Sequence, residues 1–134
     1  MFLLDTDTVI YILKGHPTVE QNLQRHPHAP IKLSVITLME LYYGAYKSQR
    51  VTSNLAKIRA METSLEIVPV SQEIVEIFGM EKAKLEGRGT PLEDFDLVLG
   101  CVALAHNLTL VTNNVKHFKK IGSLRVVNWA EETG

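Results

Sequence analysis

The stretch FLLDTDTV, residues 2–9, leads from three apolar residues directly into two carboxylates, Asp5 and Asp7. A short apolar run followed by polar residues is typical of a buried strand that ends at the edge of a sheet. Acids at that position are compatible with a phosphatase nucleophile, with a metal site or with a helix cap. The remainder of the chain has to distinguish these three interpretations.

Strand-like and helical segments alternate along the chain. Strands are predicted at residues 2–4, 31–35, 67–70, 109–111 and 125–127, and helices at residues 8–14, 17–25, 37–48, 55–65, 71–85, 95–106 and 115–120. This alternation predicts an α/β fold, a central and mostly parallel sheet flanked by helices, in a single domain over residues 1–134. Ligands of such sheets bind beyond the carboxyl ends of the strands, where Asp5 and Asn114 are both expected.

Composition and charge exclude several classes of protein. Hydrophobic residues make up 46% of the chain and the formal net charge is −1, which argues against a polycationic nucleic-acid binder but not against a metal-dependent nuclease. The single cysteine, Cys101, excludes an intrachain disulfide and is expected to pack in the core. We find no apolar run long enough to span a bilayer and no signal peptide, so we expect a cytoplasmic protein.

Asp96 is the most informative residue after the opening stretch. In FDLVLGCVALA, residues 95–105, it is the only polar side chain apart from the cysteine. A helix this apolar is expected to be buried on nearly all sides, and a buried carboxylate protonates, pairs or binds a metal. The alternative is an acid in the first helical turn, favoured by the helix dipole. Asp94 is explained by the same helix start, as its N-cap.

Glu40 lies in a similar setting in ITLMELYYGA, residues 36–45. Its alternative explanation is a capping box, because Thr37 and Glu40 have the Thr-x-x-Glu spacing. Both acids are followed by a glycine four residues later, Gly44 after Glu40 and Gly100 after Asp96. A helical side chain leans towards the N-terminus, so a glycine at i+4 leaves open space over the acid. Close helix packing explains the same glycines.

Asp5, Glu40 and Asp96 therefore form a candidate cluster of three acids. Like charges raise one another's pKa unless a cation lies among them, and all-oxygen ligands favour a hard ion, Mg²⁺ or Mn²⁺. Asn114 is a candidate for a neutral oxygen ligand, although two asparagines after a strand also form turns. His117 is a weaker candidate, for a contact with substrate.

Three segments together resemble the PIN-domain nucleases, specifically the VapC-type toxins of toxin–antitoxin pairs. The segments are FLLDTDTVIYIL, residues 2–13, SVITLMELYYGAYKS, residues 34–48, and GTPLEDFDLVLGCVALAHNLTLVTNNVKHF, residues 89–118. The resemblance implies the PIN-like three-layer α/β/α fold. It places the first three acids of the family's site at Asp5, Glu40 and Asp96, and the variable fourth position at Asn114. Asp7 departs from the family pattern, which usually has asparagine there.

The resemblance also implies what the protein does. It implies a Mg²⁺- or Mn²⁺-dependent endoribonuclease that inhibits translation by hydrolysing RNA phosphodiester bonds, with Asp5, Glu40 and Asp96 as metal ligands and Asn114 beside them. It further implies a homodimer and a cognate VapB-type antitoxin that blocks the crevice. Which RNA is cut does not follow from the sequence.

Three alternatives compete with this interpretation. A haloacid-dehalogenase-type phosphatase would use Asp5 as nucleophile and Asp7 as general acid, but its last acidic motif should follow a strand, whereas Asp94 and Asp96 follow a helix and a loop. A phospho-receiver domain would need a phospho-accepting aspartate at the end of its third strand, and the matching region of this chain, residues 67–71, has no aspartate. A catalytically inactive PIN-like module that binds RNA or a partner remains open.

Overall fold

The computed structural model describes residues 1–132, and its sheet has five strands in the order β3-β2-β1-β4-β5. The strands are β1 (Phe2–Leu4), β2 (Ile31–Ser34), β3 (Glu66–Val68), β4 (Thr109–Val111) and β5 (Val126–Val127). Neighbouring strands pair in parallel throughout, and Leu4 of the central strand lies opposite Leu33 on one side and Val111 on the other. The α/β class and the parallel sheet predicted from the sequence are confirmed.

Helices connect the strands in the predicted order. They are α1 (Thr6–Leu13), α2 (Pro17–Gln24), α3 (Val35–Lys47), α4 (Val51–Ser64), α5 (Val75–Gly87), α6 (Asp94–Ala105) and α7 (Val115–Phe118). A short 3₁₀ helix, Gln72–Ile74, precedes α5, so the helix predicted over residues 71–85 is divided in two. None of the helices within residues 1–132 is long and apolar enough to cross a membrane.

The two faces of the sheet carry separate cores, because successive strand side chains point to opposite sides. Leu3 packs into one core with Leu97 and Cys101 of α6. Cys101 is fully buried there, as predicted. Leu4 packs into the other core with side chains of α1, α3 and α4, among them Val9 and Leu41. Helices on both faces give the three-layer α/β/α arrangement.

The start of α3 differs from the prediction. The helix begins at Val35, because the Ser34 hydroxyl accepts a hydrogen bond from the backbone N–H of Ile36 at 3.1 Å and so caps it. Thr37 therefore lies inside the helix, and its hydroxyl donates instead to the Leu4 carbonyl at 3.4 Å. The capping-box explanation of Glu40 is wrong, since the cap position is three residues before Thr37.

The start of α6 also differs. Glu93, without a capping hydrogen bond from its side chain, occupies the N-cap, and Asp94 is the first helical residue. The Asp94 carboxylate instead accepts a hydrogen bond from the Lys82 ammonium of α5 at 2.9 Å. The prediction of Asp94 as N-cap is wrong by one residue, and its role is a surface ion pair between two helices.

Candidate active site

Four residues singled out by the sequence line one crevice at the carboxyl edge of the sheet. Asp5 follows β1, Glu40 lies in α3, Asp96 lies in the first turn of α6 and Asn114 follows β4. The cavity they border has a volume of about 240 Å³. They come from four separate parts of the chain, and the parallel sheet brings them together because β1 and β4 are neighbours that end at the same edge.

Asp5 is the most buried of the acids that border the crevice, with 7% of its surface exposed. It is the N-cap of α1, and one carboxylate oxygen, Oδ1, accepts a hydrogen bond from the Thr8 backbone N–H at 2.9 Å. Burial raises the pKa of Asp5 above its ordinary value, and hydrogen bonds from Thr112 and Thr8 oppose that rise. The helix-cap interpretation is therefore correct for Oδ1, which accepts the hydrogen bond from the Thr8 backbone N–H.

Glu40 is held by a residue that the sequence reasoning missed. The Thr6 hydroxyl donates a hydrogen bond to Glu40 Oε1 at 2.6 Å, across 34 positions of the chain. Thr6 lies between the two acids of the opening stretch, and its position inside that motif was the only available signal. Asp7, in contrast, lies exposed in the first turn of α1, where the helix dipole favours an acid, although it borders the same crevice.

Asp96 is less enclosed than its apolar helix suggested. The rest of α6 is largely buried, but the first turn emerges from the core and 36% of the Asp96 side chain is exposed. Its Oδ2 lies 3.0 Å from Nε2 of His117 in α7. The sequence suggested His117 as a contact for substrate, whereas the structure places its ring against an acid of the site.

Thr112 connects two other members of the site. It is fully buried directly after β4, and its hydroxyl hydrogen bonds to the Asp5 carboxylate. The same hydroxyl oxygen accepts a hydrogen bond from the Asn114 backbone N–H at 3.0 Å. This bond shapes the turn that places Asn114, itself exposed, at the rim of the crevice.

The two glycines that follow the acids have different surroundings. A Cβ atom added at Gly44 would meet no atom of residues 1–132 within 4 Å, which agrees with open space beside Glu40. A Cβ atom at Gly100 would lie 2.5 Å from Cδ1 of Ile121. Gly100 is therefore explained by close packing of α6 against the segment after α7, and the idea that it leaves room over Asp96 is not supported.

The donor set fits a hard divalent cation. Within residues 1–132 no three histidine, cysteine or acidic side chains are arranged as a ready cage for a metal ion. Mg²⁺ does not require such a cage, since it usually keeps several waters and is bound through one or two carboxylates together with phosphate oxygens. The hydrogen bonds to Glu40 and Asp96 use Oε1 and Oδ2, which leaves Oε2 and Oδ1 for such a cation, while Asp5 is oriented by Thr8 at Oδ1.

A parallel α/β sheet with acids converging at its carboxyl edge defines the class of protein, and the comparisons with known proteins agree. The sequence model of the PIN-domain family matches residues 2–124 of this chain. Ribonuclease VapC2 of Rickettsia felis is 35% identical over 131 residues, covering 96% of this chain and 98% of the relative. The tRNA(fMet)-specific endonuclease VapC of Shigella flexneri is 32% identical over 129 residues, with 96% and 98% covered.

Solved structures agree with these relatives. A chain in the crystal structure of VapBC2 from Rickettsia felis bound to a promoter DNA fragment superposes with a TM-score of 0.88 at 35% identity, covering 96% of this chain and 98% of that chain. A chain of DNA-bound VapBC from Salmonella typhimurium gives a TM-score of 0.87 at 32% identity, with 96% and 97% covered. This chain therefore belongs to the PIN-domain family, and within it to the VapC ribonucleases. Membership of this family argues against the phosphatase and the phospho-receiver interpretations.

Proposed function

We propose that this chain is a divalent-metal-dependent endoribonuclease, the toxin of a toxin–antitoxin pair, that acts as a single domain in the cytoplasm. The observation that carries the proposal is the crevice with Asp5, Glu40 and Asp96 on three elements, each with one oxygen already oriented by the protein. The VapC ribonucleases among its relatives support the same reaction class.

Each acid has a defined role in the proposed mechanism. Asp5, Glu40 and Asp96 would hold the cation, Mg²⁺ or Mn²⁺, and Asn114 at the rim of the crevice would contact the phosphate. The bound cation supplies positive charge for hydrolysis of the phosphodiester. Without it, the acids repel the RNA backbone, so phosphate enters the crevice only when the negative charges are offset.

Oriented acids contribute to rate because a site that is preorganised does not have to rearrange during the reaction. Thr6 fixes Glu40, and the backbone N–H of Thr8 together with Thr112 fixes Asp5. These donors come from buried or half-buried positions next to β1 and β4, which are rigid parts of the fold. The chain thereby holds the ligands at the strand ends, where a phosphate can approach from solvent.

We test this with Asp96→Asn and a matched control, Asp94→Asn. Both remove one negative charge from the same helical turn, but Asp94 pairs with Lys82 rather than facing the crevice. Asp96→Asn should reduce cleavage of tRNA in Mg²⁺ or Mn²⁺ at least about 100-fold, the size typical of losing one electrostatic group from a catalytic site. Asp94→Asn should cleave like wild type. Because the Shigella flexneri relative is a tRNA(fMet)-specific endonuclease, tRNA is the first substrate to try.

Two results would contradict the mechanism: equal cleavage by Asp96→Asn and wild type, or cleavage that persists in excess EDTA. A third result would favour the inactive-module alternative. In that case the wild type binds Mn²⁺ and RNA but leaves the RNA uncut across all metals tested.

A groove beside the crevice supports the antitoxin as partner. It has a volume of about 300 Å³ between α1, α3 and α4 and is lined by apolar side chains such as Ile10, Leu13 and Leu41. Glu40 borders both the groove and the crevice, and Lys14 lies at the groove. An amphipathic segment of an antitoxin fits this shape, since its apolar side chains can fill the groove while a basic side chain reaches the acids.

Gly44 offers a direct test of this groove, because it is one of the lining residues and the space over it is open. In Gly44→Leu the new side chain occupies the groove, so affinity for the cognate VapB-type antitoxin should fall by at least about tenfold, or 1.4 kcal/mol. Cleavage of tRNA should change less than antitoxin affinity. Unchanged antitoxin affinity in calorimetry would move the partner surface elsewhere.

The homodimer is supported by apolar side chains that stay exposed on two helices. Tyr43 and Tyr46 of α3 are 66% and 62% exposed, and Val75 and Met80 of α5 are 65% and 55% exposed. An apolar patch that a protein chain covers is the ordinary reason for large apolar side chains to stay exposed side by side, so we take these helices as the candidate dimer surface. Light scattering on the purified protein should give twice the chain mass of 15.0 kDa; a monomer at all concentrations would contradict this.

A further inference from the structure

We propose that His117 is a positioning residue for metal binding: its ring N–H holds one oxygen of Asp96, so that the other oxygen faces the crevice. This inference rests on the proposed function, because it assigns to His117 the orientation of one ligand of the same site. His117 does not line the crevice itself, so its action passes through Asp96.

The geometry defines a directed contact. Nε2 of His117 lies 3.0 Å from Oδ2 of Asp96, although the two residues are 21 positions apart. An ionised carboxylate only accepts hydrogen bonds, so the contact requires a proton on Nε2. The bond uses Oδ2 and leaves Oδ1 without a partner in this contact, which is the oxygen available to a cation.

The histidine is itself held in place. The neighbouring Phe118 is 3% exposed, and its ring lies edge-on to the imidazole with 5.5 Å between ring centroids. The backbone N–H of His117 donates to the Asn114 carbonyl at 3.2 Å. The ring therefore projects from an anchored turn, so it presents Nε2 to Asp96 from a fixed direction.

Asp96 needs such a partner more than the other two acids. Asp5 is 7% exposed and has a backbone donor at Thr8, and Glu40 has the Thr6 hydroxyl. The Asp96 side chain is 36% exposed and lies in the first turn of a helix, where the terminal torsion of an aspartate is broad. Without the His117 N–H its carboxylate samples orientations that do not face the crevice.

A rival explanation predicts the opposite change in metal affinity when His117 is replaced. If the imidazole only stands in for a cation beside Asp96, then removing it frees the carboxylate, and divalent metal binds more tightly. If it orients the carboxylate, removing it weakens metal binding, as loss of the hydrogen-bonded partner of a metal ligand does by about 10- to 100-fold.

The experiment measures Mn²⁺ binding, by calorimetry and by electron paramagnetic resonance, without RNA. The variants are His117→Leu, which loses the donor, His117→Gln, whose amide N–H takes the place of Nε2–H, and His117→Asn, whose shorter amide does not reach Asp96. The matched control is His28→Leu, an exposed histidine in the loop after α2. Circular dichroism establishes whether each variant folds. If His117→Leu does not fold, the comparison of His117→Gln with His117→Asn still tests the positioning role.

We expect His117→Leu and His117→Asn to weaken Mn²⁺ binding by about 10-fold or more, with His117→Gln within about threefold of wild type. The Mg²⁺ concentration for half-maximal cleavage should rise in parallel, while KM for RNA at saturating Mg²⁺ stays unchanged. Tighter or unchanged Mn²⁺ binding in His117→Leu overturns the inference, and so does a glutamine variant as weak as the asparagine variant.

The metal measurement separates this inference from the proposed function. If Mn²⁺ binds, depends on His117 as expected, and the wild type nevertheless cuts no RNA, then the endoribonuclease proposal fails while the positioning role stands. If Asp96→Asn binds Mn²⁺ as well as wild type does, Asp96 is not a ligand, and the inference about His117 fails with that assignment.

Discussion

Alanine in place of three glycines inside helices should change the free energy of unfolding, with a gain at Gly44 and Gly79 and a loss at Gly100. In the part of the chain that the structure describes, a Cβ added at Gly44 in α3 or Gly79 in α5 has no atom within 4 Å, so alanine there gains helix preference without a clash. The gain is about 1 kcal/mol for each, because glycine in a helix interior is less favourable than alanine by that amount. We expect the midpoint of thermal unfolding to rise by roughly 4 °C for each variant.

Gly100 in α6 should respond in the opposite way. An added methyl lies 2.5 Å from Cδ1 of Ile121 and 3.6 Å from Cδ2 of Leu124. Ile121 is 0% exposed, so its methyl group has no solvent to move into. Overpacking of a core costs about 1–3 kcal/mol, which exceeds the helix gain of about 1 kcal/mol. Gly100→Ala should therefore lower the free energy of unfolding by about 1 kcal/mol.

Urea unfolding followed by far-ultraviolet circular dichroism measures all three variants under the same conditions. Each is measured at two protein concentrations, so that a change in assembly is not mistaken for a change in folding. A Gly100→Ala variant stabilised as much as Gly79→Ala would refute the packing argument, since it would mean that Ile121 relaxes freely. A destabilised Gly44→Ala would show that the space beside Glu40 is not open.

Three further outcomes are expected. Asp5→Asn in EDTA should be more stable than wild type at pH 7, because burial raises the pKa of Asp5 and so disfavours its charged form in the folded state; the difference should shrink as pH falls through that raised pKa, and a difference that grows would contradict the sign. Cys101, whose pKa is raised to about 11 by burial and by the nearby Glu81, should react with a thiol reagent at pH 8 only after unfolding; rapid reaction of the native protein would argue against its burial. Asn22→Ala should cost about 1–3 kcal/mol, because the buried amide donates to the Trp129 carbonyl at 2.8 Å; fluorescence of this single tryptophan reports the loss, and an unchanged unfolding midpoint would count against it.

The prediction of the fold from sequence succeeded where signals were local. Apolar runs between helical patterns located all five strands, and the β-α alternation was enough to predict parallel pairing. Helix ends were less accurate because they depend on single hydrogen bonds. The cap of α3 is Ser34 rather than Thr37, and nothing in the spacing of Thr37 and Glu40 distinguishes the two positions.

The candidate site was predictable in its acids but not in their partners. Asp5, Glu40 and Asp96 stood out because carboxylates are unusual in apolar surroundings, and the structure brings all three to one crevice. Their roles as metal ligands stay a prediction. Thr6 and His117 were missed as partners of Glu40 and Asp96, because a hydroxyl or an imidazole at such positions is unremarkable in sequence.

The amino-acid sequence by itself determined the order of the elements, the parallel sheet and the positions of the acids, since each follows from residue type and short-range periodicity. Only the tertiary structure decided which oxygen of each acid is occupied, why Gly100 is a glycine, and that Glu40 borders both the crevice and the groove. The physical reason is the length scale. Periodicity acts over a few residues, whereas hydrogen bonds and contacts at 2.5 to 3 Å between distant segments depend on how whole helices pack on the sheet. In FLLDTDTV the strand and the two acids after it can therefore be predicted from neighbouring residues. The tertiary structure decides that Asp5 is buried and Asp7 exposed.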